Sequence, residues 1–412
     1  MDQMLDVLLT PEERAVREEA LEFARSIDPA LLRAMDKDEV HYPGEFVQEA
    51  ARRKLLGLRF PEQWGGRGMS WPTELAAIEE VGVLGSALGC LYSLPSIVGQ
   101  AIHCFGTDAQ KEKYLKPILE GKLFCAEALT EPRGGSDFFG ATCRAEKQGE
   151  VYRLEGQKRF VVGAEGADVF LVYARTGGPD AKPHQSISAF LVERDHGVKV
   201  EHVFGLLGSR GGGTGRISFP QIEIPADNLV GPEHGGALVF SKMMVPERLT
   251  SAAGAIGGGR SALEVAARYS DKRKAFGKKI RRFEAVSFMI ADALSALDAA
   301  RALSVAAGRI ADGDADPRRH VSEAKKVATE AAWLAVNNAM QVLGGIGYSD
   351  VFPVERALRD TRLTMIWTGT NEIMNLLIQH EYFKELLEHG PAGRDIEPDA
   401  SNPDGESEKD YG

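Results

Sequence analysis

Apolar residues recur at helical spacing toward both ends of this chain and at alternating spacing between them. Thr10-Pro11-Glu12-Glu13 supplies a cap residue, a first-turn proline and an acidic third position, and Val16, Ala20, Phe23, Ala24 and Ile27 then share one face. An amphipathic helix is predicted there. Further helices are predicted from Glu45 to Leu56, closed by Gly57, from Thr73 to Leu84, and from Ser96 to Phe105 before Gly106. Thr107 and Gln110 form a capping-box pattern for another, ending near Gly121. Beyond residue 125 the period drops to two: Val151–Leu154, Val169–Tyr173, Ile187–Val192 and Arg216–Phe219 are short runs separated by Gly, Pro or Asp. From Gly236 helix returns. Val286, Ile290, Ala293, Leu297, Ala300 and Ala307 mark one long stripe, and Val321, Ala324, Ala328, Ala331, Ala335 and Val342 a second. Small residues along long stripes suit a bundle. The pattern predicts an α-helical domain over residues 1–125, a β barrel or sandwich over 126–235 and a helical bundle over 236–388. Residues 389–412, rich in Gly, Pro, Asp, Glu and Ser, read as a disordered tail. No internal repeat is visible.

With 412 residues the chain has room for two or three domains and a substantial core. A net charge of -11 argues against a nucleic-acid footprint or a basic membrane patch. No stretch approaches eighteen consecutive apolar residues, and the acidic N-terminus lacks the regions of a signal peptide. A cytoplasmic protein is expected. Cys90, Cys104, Cys125 and Cys143 are widely spaced, so neither a disulfide framework nor a zinc site is indicated, and no metal is expected. Nucleotide fingerprints of the G-x-G-x-x-G or phosphate-loop type are absent, as are H-E-x-x-H and G-x-S-x-G.

At the junction of helical and alternating patterns lies Ala128-Leu129-Thr130-Glu131-Pro132-Arg133-Gly134-Gly135-Ser136-Asp137-Phe138-Phe139-Gly140. Gly134 and Gly135 permit close backbone approach and positive φ, Pro132 fixes a dihedral, and Thr130, Ser136 and Asp137 offer small polar groups. Such a loop suits a flat cofactor, although a turn of this composition is often only a turn.

Position by position, this run resembles the first signature of the acyl-CoA dehydrogenase family. Three further blocks follow in the family order: Arg273-Lys274-Ala275-Phe276-Gly277, then Gln341–Tyr348 continuing to Asp360, then Gly369-Thr370-Asn371-Glu372-Ile373. Val351 departs from the usual acidic or amide residue. The resemblance reaches to about residue 388 and implies an α+β multidomain fold: an N-terminal α-helical domain, a middle β-barrel domain and a C-terminal four-helix bundle, with FAD between the last two.

Removing the α-proton of a thioester needs a carboxylate base, a flavin to take the β-hydride, and donors for the developing enolate oxygen. Most of the family carries its glutamate base immediately before the Gly-Thr of the last block. Here that position is Thr368, whose hydroxyl is too weakly basic. Glu247, followed by Arg248, resembles the alternative base site of the isovaleryl and long-chain branches, where such a pair opens the first bundle helix. Met243, Met244, Val245, Pro246 and Leu249 give it an apolar setting that would raise its pKa. Without the resemblance, Glu247 and Arg248 read as a surface pair in a helix's first turn. The Thr368 backbone N–H remains a candidate donor to the thioester carbonyl.

For the cofactor, the resemblance implies Leu129, Thr130, Phe160 and Val162 at the flavin ring and Thr370 and Asn371 nearby. It implies Arg273 and Phe276, with Gln341, Gly344 and Gly345, at a diphosphate shared between subunits, hence a homotetramer. Val162 replaces the family's threonine and Glu284 its glutamine; read plainly, Phe160 and Val162 would sit in the barrel core, and Arg273 in a solvated basic cluster. Ser136, Arg248, Trp367 and Gly369 are the implied substrate contacts. Arg210 lies in a recurrent glycine-rich family loop. The expected reaction is FAD-dependent oxidation of an acyl-CoA to the trans-2-enoyl-CoA, with electrons passing to an electron-transferring flavoprotein. Trp367 and the Phe138-Phe139 pair suggest a flat pocket for a branched, short or alicyclic acyl group, and the lack of arginine between Gly85 and Gly106 disfavours a short dicarboxylic one. Two alternatives stand beside it: a flavin monooxygenase or oxidase of the same fold, and a catalytically silent acyl-CoA-binding protein. A carrier-protein thioester could replace CoA.

Overall fold

A computed structural model describes residues 3–178 and 181–389; the tail expected to be disordered lies, from residue 390 onward, outside them. The N-terminal layer comprises α1 (Gln3–Leu8), α2 (Pro11–Ser26), α3 (Pro29–Asp36), α4 (Gly44–Arg52), α5 (Trp71–Gly82), α6 (Ser86–Phe105), α7 (Asp108–Gln110) and, after a π turn at Lys111–Leu115, α8 (Lys116–Leu119). Both predicted capping boxes form, at Thr10/Glu13 and Thr107/Gln110. α6 starts ten residues before its predicted start at Ser96 and runs through Pro95. It is the described helix long and apolar enough to cross a membrane, yet most of it is buried in the fold as a core helix.

The middle layer has β1 (Cys125–Ala128), β2 (Arg144–Gln148), β3 (Val151–Val161), β4 (Val169–Arg175), β5 (Ile187–Glu193), β6 (Lys199–Val203), β7 (Gly215–Pro225) and β8 (Leu229–Val230). They form one sheet in the order β6-β7-β3-β2-β4-β5-β8, with β1 added in parallel to β4. Both faces of β4 and β5 are covered. Phe170, Val172, Phe190 and Val192 fill the sheet's own core, while Val169, Leu171, Tyr173 and Leu191 join the core of the N-terminal helices. β1, β2 and β6 were missed: they are short, and β2 and β6 are largely solvent-facing.

The C-terminal layer has α9 (Gly236–Lys272), the β9/β10 hairpin (Lys274–Ala275, Lys278–Lys279), α10 (Glu284–Ala311), α11 (Arg318–Leu343), α12 (Val354–Thr364) and α13 (Asn371–His389). Both alanine-rich stripes face inward, with every named residue buried or half-buried. α9 presses against α5 so closely that a Cβ on Gly257 would lie 2.1 Å from the Glu79 carbonyl oxygen, and one on Gly82 would lie 2.6 Å from that of Gly254. Buried charges tie the bundle to α5 as well: Arg260 of α9 holds Glu80 at 2.8 Å and Arg301 of α10 holds Glu79 at 2.8 Å. That seam locks the bundle to the N-terminal layer and fixes where α9 meets the sheet.

Candidate active site

The three layers meet around a cavity of about 940 Å³, walled by the α5–α6 turn, the end of β1 with its loop, the end of β3, the middle of α9 and the α12–α13 loop. Its entrance loop is rigid for a specific reason. Glu131 is buried and accepts hydrogen bonds from the Thr142 and Cys143 amides at 2.6 and 3.0 Å and from Lys158 Nζ at 2.9 Å. Lys158, fully buried, also donates to the Leu129 carbonyl at 3.1 Å. Burial would raise the Glu131 pKa, but Lys158 and the two amides outweigh it and hold this carboxyl below its ordinary value. Neither Gly134 nor Gly135 uses positive φ; Gly134 instead bridges to Glu131, and a Cβ on Gly135 would crowd the Thr130 hydroxyl at 3.1 Å.

Leu129, Thr130, Phe160 and Val162 all line the cavity. Phe160 is not in the barrel core: the β3–β7 register slips between Lys158 and Val161, Phe160 takes φ +56°, and its half-exposed ring lies 4.9 Å from that of Phe204. The bulge re-aims this one side chain while Val161 stays in the core. Ser136, at the loop's exposed side, also borders the cavity. Phe138 does not. It stacks on Phe240 at 4.1 Å within the core, and Phe139 packs edge-on to it, so the pair expected to flatten the pocket does not line it.

Glu247 is the twelfth residue of α9, not a residue of its opening turn. The helix continues through Pro246, which forgoes only its own N–H bond, and the upstream turns are packed in place, with Gly236 against Ile187 of β5 and Phe240 against Phe138. The carboxyl enters the cavity beside Cys90 of α6 and Glu127 of β1. Both glutamates keep some accessible surface, and that surface opens into the cavity they line. Burial pushes Glu247 up to about 7, opposed by a hydrogen bond with Glu127 and by the Arg248 charge. Glu127 goes well above its ordinary value, from burial first and then from the charge of Glu247 and the bond between them. Arg248 is turned away, donating to Ser322 Oγ at 3.1 Å, and burial lowers it to about 10.

Across the cavity, Thr368 takes φ +54°, a rare conformation for a β-branched residue, and its buried Oγ1 has no partner. Lys325, fully buried, anchors the loop through the Gly369 carbonyl and Asn371 Oδ1, both at 2.9 Å; burial lowers its pKa to about 7. Trp367 lines the cavity with its Nε1 donating to Ser251 Oγ at 2.7 Å, and Gly369 and Thr370 border it too. Asn371 is consumed by Lys325, Thr329 and Glu330 and stands behind the wall. Arg273, Phe276, Gln341, Gly344 and Gly345 lie on the outer surface, away from the cavity, with Phe276 96% exposed. Arg210 is engaged by the Leu206 and Asp36 carbonyls at 3.0 Å, so its loop is pinned. Sequence reasoning overlooked Glu127, Cys90, Lys158 and Lys325. A lone acid within the otherwise apolar strand Cys125-Ala126-Glu127-Ala128 was the available signal for the first.

Comparison with known proteins covers all three layers. Family profiles for the acyl-CoA dehydrogenase N-terminal, middle and C-terminal domains match residues 10–122, 126–222 and 234–383. An acyl-CoA dehydrogenase of Bacillus subtilis is 34% identical over 372 residues, covering 90% of this chain and 97% of its own. The caffeyl-CoA reductase-Etf complex subunit CarC of Acetobacterium woodii is 36% identical over 357 residues, covering 84% of this chain and 93% of its own. The solved structure of butyryl-CoA dehydrogenase from Megasphaera elsdenii superposes with TM-score 0.87 at 30% identity, covering 91% of this chain and 99% of that one.

Proposed function

The chain belongs to the acyl-CoA dehydrogenase family, and from that premise we propose that Glu247 takes the α-proton of an acyl-CoA thioester in an FAD-dependent oxidation to the trans-2-enoyl-CoA. The observation that carries this reading is the Glu247 carboxyl itself: it opens into the cavity, is desolvated toward neutral pKa, and forms no salt bridge among the described residues. A base of that pKa is about half ionised at neutral pH, so carboxylate is available, and it is a stronger proton acceptor than an ordinary carboxylate.

The residues present fit FAD. Phe160 and Val162 offer one apolar wall, Leu129 and Thr130 a polar-edged rim, and the unpartnered Thr368 hydroxyl and the Thr370 region a facing side. When bound, FAD supplies the acceptor for the β-hydride. Thr368 N–H would hold the thioester oxygen, its positive φ fixing the amide's direction. Ser136, Trp367 and Gly369 would orient the acyl thioester, while Arg248, expected as a further contact, is held by Ser322. Asn371, through Lys325, keeps the loop in place instead of touching ligand.

The same reading makes the enzyme a cytoplasmic homotetramer. Phe276, Tyr348, Phe288, Leu376 and Phe383 are all more than half exposed on the bundle and its hairpin, an apolar surface that suits association. Arg273, Phe276, Gln341, Gly344 and Gly345, remote from the cavity of their own chain, would serve the diphosphate across that boundary. An electron-transferring flavoprotein would be the acceptor, in keeping with a relative that is named as a subunit of a reductase-Etf complex. The lining from Gly89, Cys90, Ser93 and Leu94 suits a short, branched or alicyclic acyl group.

Anaerobic mixing of the FAD-loaded protein with an acyl-CoA and acyl-carrier-protein panel tests the function. Bleaching of the flavin with enoyl product is expected. Binding without bleaching would leave a silent acyl-CoA binder, and, in a parallel aerobic arm, oxygen consumption with hydroxylated product would point to a monooxygenase.

A further inference from the structure

Along β1, Ala126 and Ala128 enter the sheet's own core, while Cys125 faces the helices. By the two-residue period of a strand, Glu127 shares the Cys125 side, and it borders the cavity there. It is hydrogen-bonded, side chain to side chain, to Glu247 on α9. Two carboxylates have four acceptors and no donor, so such a bond needs a proton on one of them.

The surroundings decide which. Glu127 Oε1 is buried and receives no hydrogen bond from any donor among the described residues, a costly state for an ionised oxygen. The groups facing the pair offer it little charge. Cys90 from α6 and Tyr173 from β4 are held neutral by burial, and the Tyr173 hydroxyl has no partner. Lys158 from β3 acts on Glu127 but is bonded to Glu131 and Leu129. Arg248, adjacent on α9, acts on Glu247, and Arg318 from α11 acts on Arg248. Arg248 thus favours charge on Glu247, while the cation that acts on Glu127 is already committed to Glu131.

We propose that Glu127 is a positioning residue for the base: as a neutral acid it donates to Glu247 and keeps that group a carboxylate, oriented into the cavity. The inference rests on Glu247 being the base. When the α-carbon's C–H bond breaks, its proton forms a new O–H on Glu247, the Glu127 O–H stays intact, and the pair passes from one proton to two. Release of one proton to water as product leaves restores it.

Flavin bleaching by a saturating acyl-CoA, followed against pH in FAD-loaded wild type, Glu127→Leu and Glu127→Gln, tests this. Glu127→Leu removes the donor, so the rising limb of the profile should move up by about one pH unit, with an about fivefold loss at neutral pH recovered in alkali. Glu127→Gln, whose amide still donates, should keep the wild-type limb. A uniform fall at every pH in Glu127→Leu, an unmoved limb, or equal shifts in both variants would overturn the proposal. A readout independent of turnover is the infrared carbonyl stretch of a protonated carboxyl at neutral pH, present in wild type minus Glu127→Gln. Its absence overturns the proposal even if bleaching is normal. If wild type bleaches with no substrate, the base assignment fails while the infrared band still reports where the proton sits.

Discussion

Glu127 and Glu131 are four residues apart, both are enclosed by protein, and they meet opposite fates. Glu131 has Lys158, a hydroxyl and two amides pointed at it, and its carboxyl sits below its ordinary value. Glu127 has a second carboxyl pointed at it, an oxygen with no donor, and a pKa well above its ordinary value. Desolvation is common to both. What separates them is compensation: a buried carboxylate ringed by donors becomes a rivet, and a carboxyl pair short of donors becomes a place where protons move.

The comparison breaks most visibly at Glu247. Glu247→Gln should lower the rate of flavin bleaching by about 10²–10⁴ while the flavin stays bound, read by stopped-flow absorbance. Restoring partial activity by adding Thr368→Glu would sharpen the case that the base has moved, since both positions border one cavity. Bleaching at near wild-type rate in Glu247→Gln would remove the base assignment.

Next in size is the rivet. Lys158→Met leaves Glu131 buried without its cation and should cost about 3–5 kcal/mol of stability, measured by denaturant unfolding. Because Lys158 also holds the Leu129 carbonyl, weaker flavin retention should accompany the loss. A change below about 1 kcal/mol would make the pair no more than a surface-like contact.

The two sites should also respond to pH with opposite sign. Glu131 has a folded pKa below its ordinary 4.5, so its stabilisation is present above that value and lost as pH falls. Glu127 and Glu247 have folded values above 4.5, so the folded state keeps protons that the unfolded chain releases, and stability falls as pH rises toward those values. Glu127→Gln should therefore gain thermal stability relative to wild type on going from mildly acidic to mildly alkaline pH, whereas the deficit of Glu131→Gln should stay constant there and shrink only as pH falls below about 4.5. Parallel behaviour of the two variants would contradict the contrast. Activity should climb with pH through about 7 as Glu247 ionises.

The smallest effect is expected where water does the compensating. Arg268 and Glu264 pair at 2.9 Å on an exposed helix face, and Arg268→Ala should cost only about 0.3–0.5 kcal/mol. A larger loss would mean that exposure does not set the scale.

Much of this was legible in the residues alone. Capping boxes at Thr10 and Thr107 and the alanine stripes of α10 and α11 were readable because helix ends and helix faces are local matters of hydrogen bonding and periodicity. The signature loop, and the replacement of the usual base by Thr368, were readable as pattern. Other features were not. The long α9 passes through Pro246, because packing on α5 and α6 outweighs one missing bond. Phe160 leaves the sheet's core because of a register slip against its partner strand. Asn371, adjacent to Thr370 in the motif, faces away from the cavity because Lys325 claims it from another helix.

Order along the chain thus determined the three-layer architecture, the family and the candidacy of Glu247. Only the tertiary structure decided that Glu247 faces Glu127 across 120 residues of chain, and that Glu131 does not share that fate. A side chain's charge state depends on which groups arrive around it through space, and no local pattern records who those neighbours will be.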